Sequence, residues 1–271
     1  MPTVTFSPEQ TPPDVAPLYY AAAQEQLRAL MILVGGLAHN LRSPLMAIMG
    51  RAEVIGVRQP EFSGPMHEIV SECERANAVL QAATAALNLR ADRDRRPVSL
   101  NELVERECEF MCFDRHFKHE VDKEYVLADG LPAVSAVYGV LARVFAALVR
   151  NAMIAMCDAA ERRLVITTES SGDAVRLSVR DTGCGIAPDH LPHVFEPGFT
   201  TLEQGGTGPE RYGTSPVEGG GRGYGLAVAA AAVHDYGGAI EISSERGAGT
   251  TGGAGTTRGA GTAVTIRLPV K

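Results

Sequence analysis

Four short stretches of this 271-residue chain carry residue types that do chemistry at telling separations. The first is His39-Asn40-Leu41-Arg42-Ser43-Pro44-Leu45, a lone imidazole inside an otherwise apolar helical pattern. A neutral imidazole is a nucleophile near neutral pH, and its charge is easily tuned. The second is Asn151, in the run Ala147-Leu148-Val149-Arg150-Asn151-Ala152, whose amide oxygen suits a hard cation that keeps several waters. The third, Asp181-Thr182-Gly183-Cys184-Gly185-Ile186, sets a carboxylate at the end of an alternating strand pattern. Gly183 and Gly185 beside it allow a flat group to approach the backbone. The fourth, Gly219 to Leu226, opens a helix with closely spaced glycines, of which Gly221, Gly223 and Gly225 expose amides suited to phosphate. Its G-x-G-x-G spacing and the long loop before it do not fit the dinucleotide fingerprint.

These groups need elements to hold them. Leu27, Val34, Leu41, Ile48 and Ile55 recur every seven residues, with Leu30 and Leu37 in the intervening seam, shifting to Leu45 and Ala52 after Pro44. The pattern predicts a helix from Leu18 to Val57, about 60 Å long, bent at Pro44. His39 falls at the position facing away from the seam. A turn near Gly56 to Gly64 leads to a second helix with Ile69, Cys73, Ala76, Leu80, Ala83 and Leu87 on one stripe. One antiparallel hairpin has too little to pack against, so two would pair into a four-helix bundle. Residues 1–17, rich in proline, read as disordered or extended, and residues 18–92 as the hairpin domain. The charged stretch Arg90 to Arg96, closed by Pro97, reads as a linker. Residues 97–271 predict helices near Leu100–Phe113, Ala136–Met156 and Tyr224–Tyr236. Strands are expected near His119–Leu127, Leu164–Glu169, Val175–Asp181, Ala239–Ser244 and Ala263–Leu268. The fold class is α+β: a helical hairpin, then a two-layer α/β sandwich with a mixed sheet covered by helices on one face. The stretch Leu202 to Glu218 reads as a lid. Gly247-Ala248-Gly249-Thr250, repeated at Gly253 and Gly259, reads as a lengthened hairpin turn without chemistry.

A net charge of −7 argues against nucleic acid as a partner. No apolar run looks long enough for a membrane span, and the first twenty residues do not resemble a signal peptide. Five cysteines, an odd number without metal spacing, suggest reduced thiols and a cytoplasmic setting.

Taken in order with Phe195-Glu196-Pro197-Gly198-Phe199-Thr200-Thr201, these stretches resemble the H, N, first-glycine, F and second-glycine boxes of two-component sensor histidine kinases, over residues 20 to 271. The N and F stretches look most like the nitrogen-regulation branch. The resemblance implies a homodimeric kinase core with a gyrase- and chaperone-like ATP fold. It implies ATP and Mg²⁺ as cofactors, with the metal on Asn151. It further implies adenine at Asp181, Gly183 and Gly185, phosphates at Gly221, Gly223, Gly225 and Leu226, and Thr262 near adenine. Phe195 and Phe199 either anchor the lid or belong to the core. His39 becomes the phosphoacceptor, and an aspartate of a response regulator the final acceptor; no direct membrane insertion is expected. Input would come through a separate sensor protein, the N-terminus, or a region outside this chain. Two departures stand out. Asn40 replaces the usual acid, so it can orient the imidazole but cannot take its proton. Ala147 stands where hydrolysing relatives carry a general-base Glu, which favours phosphoryl transfer over hydrolysis. Ser43 occupies a position tied to dephosphorylation of the partner; the other reading is a solvated helix residue. The alternative function is a phosphotransfer or scaffold protein, with His39 receiving phosphate from another kinase; Asn40 favours it and the glycine boxes do not.

Overall fold

A computed structural model describes residues 1–6, 15–201, 223–247 and 261–270, with side chains from residue 29 onward in the first helix. The chain divides into two compact units, Gln24–Ala91 and Met1–Ala23 with Asp92–Lys271.

The first unit is a helical hairpin. Helix α1 runs Val15–Arg58 and continues through Pro44. A 3-10 turn at Pro60–Phe62 follows, and α2 runs Ser63–Ala91. The turn falls within the Gly56 to Gly64 span read from the sequence. The heptad positions do not share one environment. Ala52 is buried and Val34 and Leu45 are half-buried, whereas Leu30, Leu37, Leu41, Ile48 and Ile55 are 38–58% exposed. The least exposed positions of α1 are Met31, Val34, Gly35, Ala38, Leu45, Met49, Ala52 and Gly56, half of them small residues of the kind that let helices approach. A Cβ on Gly56 would lie 3.5 Å from that of Met66 on α2. On α2 the least exposed stripe is Met66, Val70, Cys73, Asn77, Leu80, Thr84 and Leu87. The apolar residues that announced the helix are therefore mostly the ones the hairpin leaves uncovered.

The second unit is a six-stranded sheet, order β1-β7-β8-β6-β5-β3, backed by helices. Its strands are β1 (Thr3–Thr5), β3 (Asp122–Leu127), β5 (Arg163–Ser171), β6 (Ala174–Asp181), β7 (Ala239–Glu245) and β8 (Gly261–Pro269). β3 and β5 are parallel and every other pair is antiparallel, so the sheet is mixed as expected. Alternation puts Leu164, Ile166, Leu177, Val179, Ile240, Ile242, Val264 and Ile266 on the covered face. The opposite face carries ion pairs such as Arg163–Glu124 and Arg267–Asp173. The helices are α3 (Leu100–Met111), α4 (Arg115–His119), α5 (Tyr138–Ala155) and α6 (Gly225–Asp235). A two-stranded ladder pairs β2 (Arg95–Val98) with β4 (Val134–Val137).

Residues 3–5, within the terminus read as disordered or extended, are an extended edge strand paired with β7. Three expectations need correction. Residues 95–98, read as linker, are β2; Pro97 is tolerated because β2 pairs on one side only. Residues 134–137 belong to β4, and α5 starts only at Tyr138. Among the described residues, α5 is apolar enough and, at 18 residues, long enough to cross a membrane; Phe145, Leu148 and Val149 instead fill the core.

Candidate functional site

Three elements converge on one cleft. Helix α5 presents Leu148, Asn151, Ala152 and Ala155 on one face, spaced three, one and three residues apart. The same α5 residues close the cleft against Val179, Ile242 and Val264 of the sheet. Asn151 is half-buried there, and no described residue hydrogen-bonds its amide. Ala147, one turn earlier, is buried; a Cβ on Gly225 would lie 3.9 Å from its own.

Asp181 ends β6 on the covered face, two residues after Val179, and is 4% exposed. Its Oδ1 accepts from the amides of Gly183 (2.8 Å) and Thr262 (3.3 Å). No described residue donates to its Oδ2, which leaves that oxygen for a ligand. Burial pushes this carboxyl up to about 6, against the pull of the Gly183 and Thr262 amides and the Arg180 charge. The turn after it is pinned on both sides. Thr182 donates to the carbonyl of Glu161 and accepts from the amide of Arg163, and the Cys184 amide donates to the carbonyl of Ala155. Gly185 has φ +69° and comes so close to β7 that a Cβ would meet the Glu245 carbonyl oxygen at 2.1 Å. Only glycine fits there.

The other wall is Phe199, Thr200 and Thr201, with Gly223, Gly225 and Leu226 at the start of α6. Gly223 has φ +75°, and a Cβ would meet the Phe199 carbonyl oxygen at 2.3 Å; its own carbonyl accepts from the Gly198 amide at 3.1 Å. The F stretch and the glycine stretch thus abut through backbone at Gly198, Phe199 and Gly223. The first amides of α6 have no partner within the helix and favour anionic groups.

Of the residues singled out from sequence, Asn151, Asp181, Gly185, Phe199, Gly223, Gly225, Leu226 and Thr262 line this cleft. Gly183 acts from behind, donating to Asp181. Phe195 does not line it: fully buried, it packs edge-on against Phe6 with ring centroids 5.5 Å apart. It is core, packed on Phe6, whose ring also meets His234 of α6, while Phe199 four residues on reaches the cleft and the rings of His190 and His193. Gly221 and the expected lid lie outside the described residues. His39, Asn40 and Ser43 are all exposed on α1, in the other unit. Sequence reasoning missed Ser244, which joins β7 to Ile186, Gly261 and Thr262 beneath the cleft. Its only signal was an inward position on a strand ending beside the glycine turn. Among the described residues the cleft has one carboxylate, Asp181, and one cation, Arg150. No cluster of His, Cys, Asp and Glu capable of holding a metal occurs among them.

Residues 138–271 match the model of the family described as histidine kinase-, DNA gyrase B- and HSP90-like ATPases. The sensor histidine kinase ZraS of Escherichia coli K12 is 31% identical over 237 residues, 84% of this chain and 45% of that protein. The sensory histidine kinase/phosphatase NtrB of Rhizobium meliloti is 25% identical over 237 residues, 80% of this chain and 56% of that one. Among solved structures, the mycobacterial sensor histidine kinase MprB matches with a TM-score of 0.47 at 22% identity, over 65% of this chain and 97% of that chain. The chain spans about half the length of the curated relatives it matches. With the boxes in order along the sequence and most of them meeting in one cleft, the chain belongs to the two-component sensor histidine kinases, its C-terminal half being the ATPase-like domain of that family.

Proposed function

We propose that the chain is an ATP-dependent protein histidine kinase that phosphorylates itself on His39 and passes the phosphoryl group to an aspartate of a response regulator. The observation that carries this reading is the convergence of Asn151, Asp181, Gly185, Gly223, Gly225 and Thr262 on one cleft, in a chain that also exposes His39 on a helix. Asp181 Oδ2 accepts from the adenine amino group, and the apolar walls of Leu148, Val179, Ile242 and Val264 cover the ring. The Gly223–Leu226 backbone faces the phosphates. Asn151 fits a Mg²⁺ ligand, since no described residue hydrogen-bonds its side-chain amide and no metal-holding carboxylate cluster occurs among the described residues. When bound, that ion offsets charge on the phosphates; most of the catalysis is then positioning. An imidazole nitrogen of His39 forms the bond to the γ-phosphorus as the bond to the bridging oxygen breaks and ADP leaves. The proton on the other nitrogen must go to a base. Asn40, exposed beside His39, can hold the ring but not take that proton.

The uncovered apolar residues of α1 support a homodimer built through the hairpin. The setting proposed is cytoplasmic, with a separate sensor protein or a further region supplying the signal. Incubation with γ-labelled ATP tests the core of this reading. The label is expected on the chain, acid-labile and alkali-stable, and absent from His39→Gln. Label retained in that variant, or stable to acid, overturns it. Labelling only when another phosphorylated protein is added would replace it with the phosphotransfer reading that Asn40 favours.

A further inference from the structure

Beneath the cleft sits a hydroxyl whose hydrogen-bonding capacity is fully used. Ser244 is 0% exposed and touches no part of the cleft surface. Its Oγ accepts from the Ile186 amide at 2.8 Å, lies 3.0 Å from the Gly261 carbonyl oxygen, and lies 2.9 Å from Thr262 Oγ1. A carbonyl oxygen only accepts, so the single Ser244 proton goes to Gly261. A serine hydroxyl has one proton and two lone pairs. One lone pair takes the Ile186 proton, and the remaining one must take the proton of Thr262. Thr262, which does line the cleft, has therefore spent its only proton backward. What it offers a ligand is lone pairs.

We propose that Ser244 is a positioning residue that sets nucleobase selectivity by holding Thr262 as an obligate hydrogen-bond acceptor beside Asp181. The Thr262 amide already donates to Asp181 Oδ1, so the two side chains are neighbours at the deep end of the cleft. Two acceptors there match the two N–H donors of a 6-amino purine, directly or through a water. They oppose a 6-oxo purine, whose ring substituent is itself an acceptor. The same hydroxyl ties the glycine turn at Ile186 to the start of β8, so one group fixes both the shape and the polarity of the base end.

The proposal rests on the nucleotide reading of the cleft, and its test separates the two. Affinities of the full chain for ADP, whose base has a 6-amino group beside a bare N1, and for inosine diphosphate, which has a 6-oxo group beside an N1–H, are measured by calorimetry at pH 8, where Asp181 is ionised. In Ser244→Ala the Thr262 proton is released to point into the cleft. The preference for ADP over inosine diphosphate is expected to shrink by roughly fivefold to tenfold, the worth of one neutral hydrogen bond. Ser244→Thr, which keeps a hydroxyl, is expected to restore the ratio. Should Ser244→Ala fail to fold, Thr262→Val removes the same acceptor with Ser244 in place, and the ratio is expected to fall again. Equal weakening of both nucleotides, with the ratio unchanged, overturns the proposal and leaves Ser244 a purely structural tie. Absence of binding of either nucleotide to the unmodified chain overturns the cleft assignment itself.

Discussion

The hairpin and the sheet domain solve opposite halves of one problem. The sheet domain buries Phe145, Phe195, Leu148, Ile166 and Ile240 completely, and builds its cleft on that floor from its own strands and helices. The hairpin carries Leu37, Leu41, Ile48, Ile55 and Val57 at 41–82% exposure, and its one candidate reactive group, His39, projects from the same helix. A finished core supports a preformed cleft, whereas a half-covered one waits for a second surface. Among the described residues the cleft is lined from within one copy, whereas the uncovered apolar residues of the hairpin are what the proposed homodimer would cover.

The comparison breaks first at the hairpin. Leu41→Glu with Ile48→Glu places charges on the uncovered stripe, and light scattering is expected to show complete conversion of a dimer to monomers. Each buried leucine or isoleucine at such an interface contributes about 1.5–3 kcal/mol. ADP affinity should be unchanged in the same variant. A monomeric unmodified chain at micromolar concentration would mean that the exposed stripe serves something other than self-association. The next largest effect is at Asn40. Asn40→Asp supplies the base the helix lacks, and single-turnover labelling is expected to accelerate by roughly 10² or more. No gain, together with a brisk unmodified rate, would show that the proton leaves by another route.

The other predictions lie in the finished half. Asp181→Asn keeps an oxygen for the Gly183 and Thr262 amides but turns an amino group toward the ligand. ATP affinity is expected to fall by roughly 10- to 100-fold, the range for a hydrogen bond to a charged group. The nucleotide-free variant should melt higher at pH 8, because a desolvated charge is gone; a lower melting temperature would contradict the burial argument. The smallest effect is the pH dependence of the unmodified chain. Burial raises the Asp181 carboxyl from 3.8 to about 6, so the native state holds a proton that the unfolded chain has released between those values. Asp181 therefore weakens the free fold as pH rises through 6, yet only the ionised form accepts the amino proton. ATP affinity is expected to fall up to tenfold per unit below about pH 6, and a flat profile from 5 to 8 would remove Asp181 from the contact.

The reach of the sequence followed the range of the interactions. Asp181, Gly185 and Gly223 were legible because each answers a local demand, a strand end or a backbone approach that only glycine permits. The hairpin was legible from period alone, but its two faces were not. The leucines that repeat most clearly are the exposed ones, and Ala38, which is buried, and Gly56, which lies against Met66 of α2, give no strong signal. Phe195 and Phe199 share type and motif. Only Phe6, nearly two hundred residues away, shows why one is core. Strand β4 vanished into the helix reading because Val134 to Val137 runs straight into the apolar start of α5. Ser244 stayed invisible because its three partners lie on two other segments.

The short strand β1 has a further bearing on how the molecule behaves in company. Its three residues and the Phe6 amide occupy the outer edge of β7, with Phe6 donating to the Ile240 carbonyl. Without Thr3 to Phe6, the edge from Ile240 to Ser243 would present a row of bare backbone donors and acceptors beside alternating apolar side chains, a template onto which a strand from any neighbouring chain can add. Four residues that line no part of the cleft thus cover this edge of the sheet, and a truncation that removes them is expected to leave the edge open to strand addition.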